Sequence, residues 1–109
     1  MQENWDINNS WGMKTGIELI ADERKRQIEE EGWTKEHDAQ HKVDVLVKAA
    51  VCYALPPLSR ADVSPDVGKP PFFWPFSQES WKPSPDDRIR ELVKAGALIA
   101  AEIDRMQNP

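Results

Sequence analysis

Ser84-Pro85-Asp86-Asp87-Arg88-Ile89-Arg90-Glu91-Leu92-Val93-Lys94-Ala95-Gly96-Ala97-Leu98-Ile99 carries the clearest helix start in the chain, and its pattern runs on to Met106. Ser84 is read as the N-cap and Pro85 as the first helical residue, with Asp86 and Asp87 complementing the positive end of the helix dipole. Ile89, Leu92, Val93, Gly96, Ile99, Ile103 and Met106 then recur at helical spacing, with Leu98 on a flank. Such a stripe predicts an amphipathic helix whose apolar face packs on the rest of the chain. Gly96 inside it costs up to about 1 kcal/mol against alanine. Its presence predicts close contact with another backbone or a ring.

Two further helices follow from the same spacing rule. Thr15 and Glu18 stand at capping-box distance, where hydroxyl and carboxylate satisfy free backbone N–H groups reciprocally. The helix they open carries Ile17, Ile20, Ala21, Arg24 and Ile28 on one face and stops at Gly32. Arg24 falls on that stripe, so its stem can pack while its guanidinium reaches a partner. The second helix is predicted from about Gln40 to Leu55, with Val43, Leu46, Val47, Ala50, Val51 and Ala54 as its stripe and Pro56-Pro57 as its stop. Ala49 and Ala50 permit close helix approach.

Between the second and last helices the chain is rich in proline. Ser59 to Lys69 reads as an exposed loop. Phe72, Phe73, Trp74, Phe76 and Trp81 are too apolar for a solvated linker and predict extended structure packed over the helices. The expected fold is therefore mainly α, a three-helix core with an extended Pro/aromatic-rich segment packed on it. Residues 1–14 form an N-terminal tail and 15–109 a single helical domain.

Composition narrows the function. The chain has 109 residues and a net charge of −5, which gives no overall electrostatic footprint for nucleic acid. The apolar runs are far shorter than the ~20 residues of a membrane span, and no secretory signal is seen. A cytoplasmic protein is expected, with no membrane and no nucleic-acid partner. Cys52, the single cysteine, sits in an apolar run and reads as a small buried hydrophobe rather than a reactive thiolate.

The link between the first two helices holds Trp33, His37, Asp38 and His41. His37 and His41 at i, i+4 could grip a metal on a helix, but no third ligand is evident and no metal is expected. Asp38 has two readings, as N-cap of the second helix or as a ligand contact. Trp33, Trp74 and Trp81 read either as lids on a core or as plates on which a base stacks, a contact worth roughly 1–3 kcal/mol. Arg24, Arg26, Lys82, Arg88, Arg90 and Lys94 are the candidate phosphate contacts. The expected ligand-binding set is Arg24, Trp33, His37, Asp38, His41, Trp74, Trp81, Lys82 and Arg88, with no catalytic residue and no cofactor.

The segment Arg24 to Trp33, Asp38, His41, Trp81-Lys82-Pro83, Asp87-Arg88 and Leu92 to Ile99 resembles a group of small bacteriophage and prophage proteins, over about residues 20–105. More distantly, Glu31-Gly32-Trp33, Asp38, His41, Asp87-Arg88 and the Leu92 to Gly96 run resemble the ryanodine-receptor repeat (RyR) domain. Lys42 stands where that family has proline, and the 56–83 segment is longer and more aromatic. The resemblance implies helices paired with extended segments and contact with nucleotides.

Three functions are open at this point. The first is a small-molecule-binding protein for a nucleotide or nucleotide-derived signal, in a phage one that sequesters a host immune signal as an anti-defence protein. The second is an all-α, magnesium-dependent nucleotide pyrophosphohydrolase. The MazG family pairs two acids on one helix with two on the next, and here Glu23 lacks an acid at i+3 while Asp44 is the only acid inside the second helix. The third is a protein-binding module, of which a homo-oligomer is a variant.

Overall fold

The computed structural model describes residues 13–31, 44–66 and 68–107. Its elements are α1 (Gly16–Glu31), α2 (Val45–Ala54), a single-turn α3 (Pro57–Arg60), a 3₁₀ turn (Gln78–Ser80) and α4 (Arg88–Gln107). No strand occurs among the described residues. The expected architecture is what the chain adopts: a mainly helical core with the proline and aromatic segment laid on it.

The capping box closes as read. Thr15 N–H donates to Glu18 Oε1 at 2.8 Å, and Glu18 N–H donates to Thr15 Oγ1 at 3.2 Å. The other two starts differ from expectation. α2 begins at Val45, after Asp44 in the left-handed region at φ 67°, which aspartate tolerates better than most side chains. α4 begins at Arg88 rather than at Pro85. Ser84 to Asp87 form a turn, with Asp87 N–H on the Ser84 carbonyl at 2.8 Å. Asp87 then takes the capping role, its Oδ1 accepting from Arg90 N–H at 3.1 Å. Ser84 N–H donates to Glu91 Oε2 at 3.0 Å.

α4 packs on both α2 and α1. Leu46, Ala49, Ala50 and Tyr53 of α2 meet Ala95, Leu98 and Ala101 of α4 in the core, and Trp74, Phe76 and Trp81 pack against it. The small residues let the two helices approach closely. The buried face of α4 is thus Glu91, Val93, Ala95, Ala97, Leu98, Ala101 and Glu102. Of the predicted stripe, Val93 and the flanking Leu98 are buried, whereas Ile89, Leu92, Ile99, Ile103 and Met106 are largely exposed. On α1 Arg24 is buried as the stripe predicted, but Ile17 is exposed and Glu23 and Gln27, off the stripe, are buried.

The neighbouring residues Glu23 and Arg24 of α1 reach Arg90 and Asp104, which lie fourteen residues, or about 21 Å, apart along α4. Between them α1 meets α4 at Gly96, where an added Cβ would lie 2.5 Å from Ile20 Cδ1. The glycine's close contact is an isoleucine side chain.

Candidate functional site

Tyr53, on the last turn of α2, is where the aromatic segment docks. Trp81 stacks on its ring with centroids 4.8 Å apart and planes 28° from parallel. Trp74 meets Tyr53 edge-on at 5.6 Å, and also touches Trp81 and Phe76 edge-on. The Tyr53 hydroxyl accepts from Lys82 N–H at 3.3 Å. Lys94 reaches over the same ring, 5.3 Å from its centroid, and donates to the Lys82 carbonyl at 3.0 Å. A cation held against an aromatic face in this way adds about 0.5–1 kcal/mol at a partly exposed site.

Glu91 organises the charge beside this cluster. It is 0% exposed. Its Oε2 accepts from Arg60 Nη2 at 2.8 Å and from Ser84 N–H at 3.0 Å, and its Oε1 accepts from Arg88 Nη1 at 3.0 Å. Arg60 also donates to the Cys52 carbonyl at 3.4 Å and lies over Trp81, 5.5 Å from the ring centroid. Arg88 donates to the Tyr53 carbonyl at 2.8 Å and to the Ala54 carbonyl. Those carbonyls belong to the last turn of α2, which has no intrahelical donor for them, and a cation there meets the negative end of the helix dipole. One carboxylate therefore ties together the end of α2, α3, the proline segment and the start of α4. Burial pushes the neighbouring Cys52 thiol up to about 11, against the opposing pull of the Arg60 charge. The thiol stays protonated near neutrality, as the sequence suggested.

A second buried acid, Glu23, sits under α1 at 3% exposure. It accepts from Arg26 Nε and Nη2 at 2.9 and 2.8 Å, from Arg90 Nη1 at 2.6 Å and from Gln27 Nε2 at 3.2 Å. Burial raises its pKa, but the hydrogen bonds and charges of Arg26 and Arg90 outweigh that and hold the carboxyl below its ordinary range. Beside it a groove of about 380 Å³ opens between Leu19, Asp22 and Arg26 of α1 and Ile89, Arg90 and Val93 of α4.

The structure gathers four of the expected ligand residues and separates one. Trp74, Trp81, Lys82 and Arg88 meet around Tyr53. Arg24 does not join them: its Nε and Nη2 donate to Asp104 at 3.3 and 3.2 Å, at the far end of α4. Its guanidinium meets a carboxylate of the same chain and bridges α1 and α4. Trp33, His37, Asp38 and His41 lie outside the described residues. Among the four that gather, Trp81 is already stacked by Tyr53, the Trp74 indole donates to the Ser77 carbonyl at 3.0 Å, and Arg88 is turned inward. Lys82 is exposed, and its backbone N–H and carbonyl do the docking.

Sequence reasoning missed Tyr53 and Arg60. Arg60 was read as part of an exposed loop, but Pro57–Arg60 is a helical turn and Arg60 is buried. The available signal was the Arg88–Glu91 pair at i, i+3, which marks an acid needing partners at the start of a helix. Beside Trp81 the turn leaves a cleft of about 240 Å³ lined by Pro57, Arg60, Ser64, Asp66, Lys69 and Trp81, with Pro83 and Pro85 at its edge. Among the described residues no three His, Cys, Asp or Glu side chains stand close enough to hold a metal ion. No helix among them is long and apolar enough to cross a membrane. No protein family, curated protein or solved structure matches the chain.

Proposed function

We propose that the chain binds a small planar anion of the nucleotide class, without a chemical step, in the cleft beside Trp81. One observation carries the reading: Arg60, Lys69 and Trp81 line the same 240 Å³ space. That is smaller than the roughly 300–1,000 Å³ of most drug-sized sites. It suits one heterocyclic ring, with phosphate left at the mouth where Lys69 is exposed. Arg60 is already compensated by Glu91. Its guanidinium is buried and laid over Trp81, so the exposed Lys69 is the cation left for such a ligand. The resemblance to the RyR domain implies the same ligand class, and in a phage such a protein would sequester a host signal.

The pyrophosphohydrolase reading draws less support. Each acid it would draw on among the described helices, Glu23, Glu91 and Glu102, is bound by arginine. Calorimetry of the full chain with nucleotides and cyclic dinucleotides tests the binding proposal. Heat is expected with at least one of them, reduced by Lys69→Ala and abolished by Ser64→Trp, which fills the cleft, with the melting temperature kept. Absence of heat up to millimolar ligand across the panel rejects it.

A further inference from the structure

The arginines of this chain differ in how much of the guanidinium they use. In Arg24, Arg26 and Arg105 the edge that carries Nε and Nη2 is taken by a carboxylate of the same chain, from Asp104, Glu23 and Glu102 respectively. Arg90 departs from that pattern. It gives Nη1 to Glu23 Oε1 at 2.6 Å. Its Nε–H and Nη2–H meet no acceptor among the described residues, and its side chain is 35% exposed.

Those two hydrogens lie side by side in the guanidinium plane, the fork that receives both oxygens of a carboxylate. The buried Glu23 holds the group by its other end, so the fork is oriented before any ligand arrives. Arg90 lines the groove of about 380 Å³ between α1 and α4, in company with Leu19, Ile89 and Val93. That volume lies within the roughly 300–1,000 Å³ of small-molecule sites. Asp22 and Asp87 also border the groove, and Asp22 is paired with Lys14 at 2.6 Å.

We propose that this groove binds a small monocarboxylate with an apolar body, its head on the Nε and Nη2 edge of Arg90 and its body along Leu19, Ile89 and Val93. Three features set that class. The two open donors form the same fork that takes a carboxylate in Arg24, Arg26 and Arg105. The aliphatic side chains of the lining match a hydrocarbon or aryl body and offer nothing to a sugar. The acids Asp22, Glu23 and Asp87 around the groove repel a doubly charged phosphate more than a single delocalised charge. The inference is independent of the cleft beside Trp81, which shares none of these residues.

Calorimetry and amide NMR spectra of the full chain with octanoate, octanamide and octyl phosphate test it. Octanoate is expected to bind at millimolar concentration or below, to shift the amide signals of Leu19, Ile89, Arg90 and Val93, and to bind about 10-fold more tightly than either analogue. Arg90→Lys keeps a positive charge beside Glu23 but has no fork, and should weaken octanoate about 10-fold or more. Circular dichroism verifies that the variant is folded. Should it not fold, Ile89→Glu, at a residue 66% exposed, places a like charge in the groove and should give the same loss. Lys69→Ala, in the other cleft, should leave octanoate binding unchanged. No binding of octanoate up to about 10 mM overturns the proposal. Octanamide or octyl phosphate binding as well as octanoate also overturns it, as does octanoate binding that is indifferent to the folded groove variant or lost in Lys69→Ala.

Discussion

Along α4 the contact with α2 is built from Leu46, Ala49, Ala50, Ala95, Leu98 and Ala101, while the contact with α1 runs through Glu23–Arg90, Arg24–Asp104 and Ile20 on Gly96. The first seam is dry, formed by small side chains that bring the helices close. The second is tied by ion pairs on either side of the Ile20–Gly96 contact. The difference lies in what each can tolerate. An apolar seam loses strength in proportion to the atoms removed from it. A buried ion pair contributes little net stability when intact, yet leaves an uncompensated charge when one partner is taken away.

The sharpest way to break the contrast is Leu46→Ala in the first seam. A cost of about 2–5 kcal/mol is expected for this fully buried side chain. Added salt should leave the increment unchanged.

Glu23→Ala probes the other seam. Arg90 and Arg26 would lose their common acceptor, and because both are about a third exposed and Arg26 keeps Glu30, a loss of about 1–3 kcal/mol is expected in urea unfolding. Replacing Glu23, Arg26 and Arg90 together with apolar residues of similar volume should recover most of that loss. If Glu23→Ala alone costs under about 1 kcal/mol, the ionic seam is not the hold on α1 described above.

Acid separates the two seams without mutation. Glu23 has a folded pKa below its unfolded value. Its stabilisation is therefore present above the unfolded value, near 4.3 for a free glutamate, and is lost as pH falls through the lower folded value. Amide exchange of α1 should accelerate below about pH 4 before that of α2. Equal acceleration in both helices would remove the distinction.

Gly96→Ala tests the contact point. Helix propensity favours alanine by up to about 1 kcal/mol, and overpacking against Ile20 opposes it by about 1–3 kcal/mol. A net loss of about 1 kcal/mol is expected, relieved when Ile20→Val removes the nearest methyl. The mildest probe is chemical: buried and with its thiol pushed up to about 11, Cys52 should react with iodoacetamide only as fast as the protein opens. Rapid labelling of the native chain at pH 8 would show α2 to be looser than the burial of its thiol.

The comparison also explains what could be read in advance. Elements set by neighbours in sequence were legible: the Thr15–Glu18 box, the stop after Ala54 ahead of two prolines, the packed character of Trp74, Phe76 and Trp81, and the buried Cys52. Faces were less legible. Spacing marked Ile89, Leu92, Ile99 and Ile103 as a stripe, but hydropathy ranks side chains one at a time and favours large ones. Alanine and glutamate won the buried face because alanine permits close approach and each glutamate found arginines. Around the candidate site, Trp74, Trp81, Lys82 and Arg88 were named from type and segment, whereas Tyr53 and Arg60 became visible only when α3 folded back.

What the chain by itself determined is local: where helices can start and stop, which segment cannot remain solvated, and that its cations and acids are numerous enough to pair. Backbone hydrogen bonding and capping act over a few residues, so a linear reading reaches them. Which acid meets which arginine, which face of α4 is covered, and where a cleft is left open depend on contacts between residues that are 30 to 80 positions apart. Those contacts compete for one another's partners, and only the assembled tertiary structure resolves the competition.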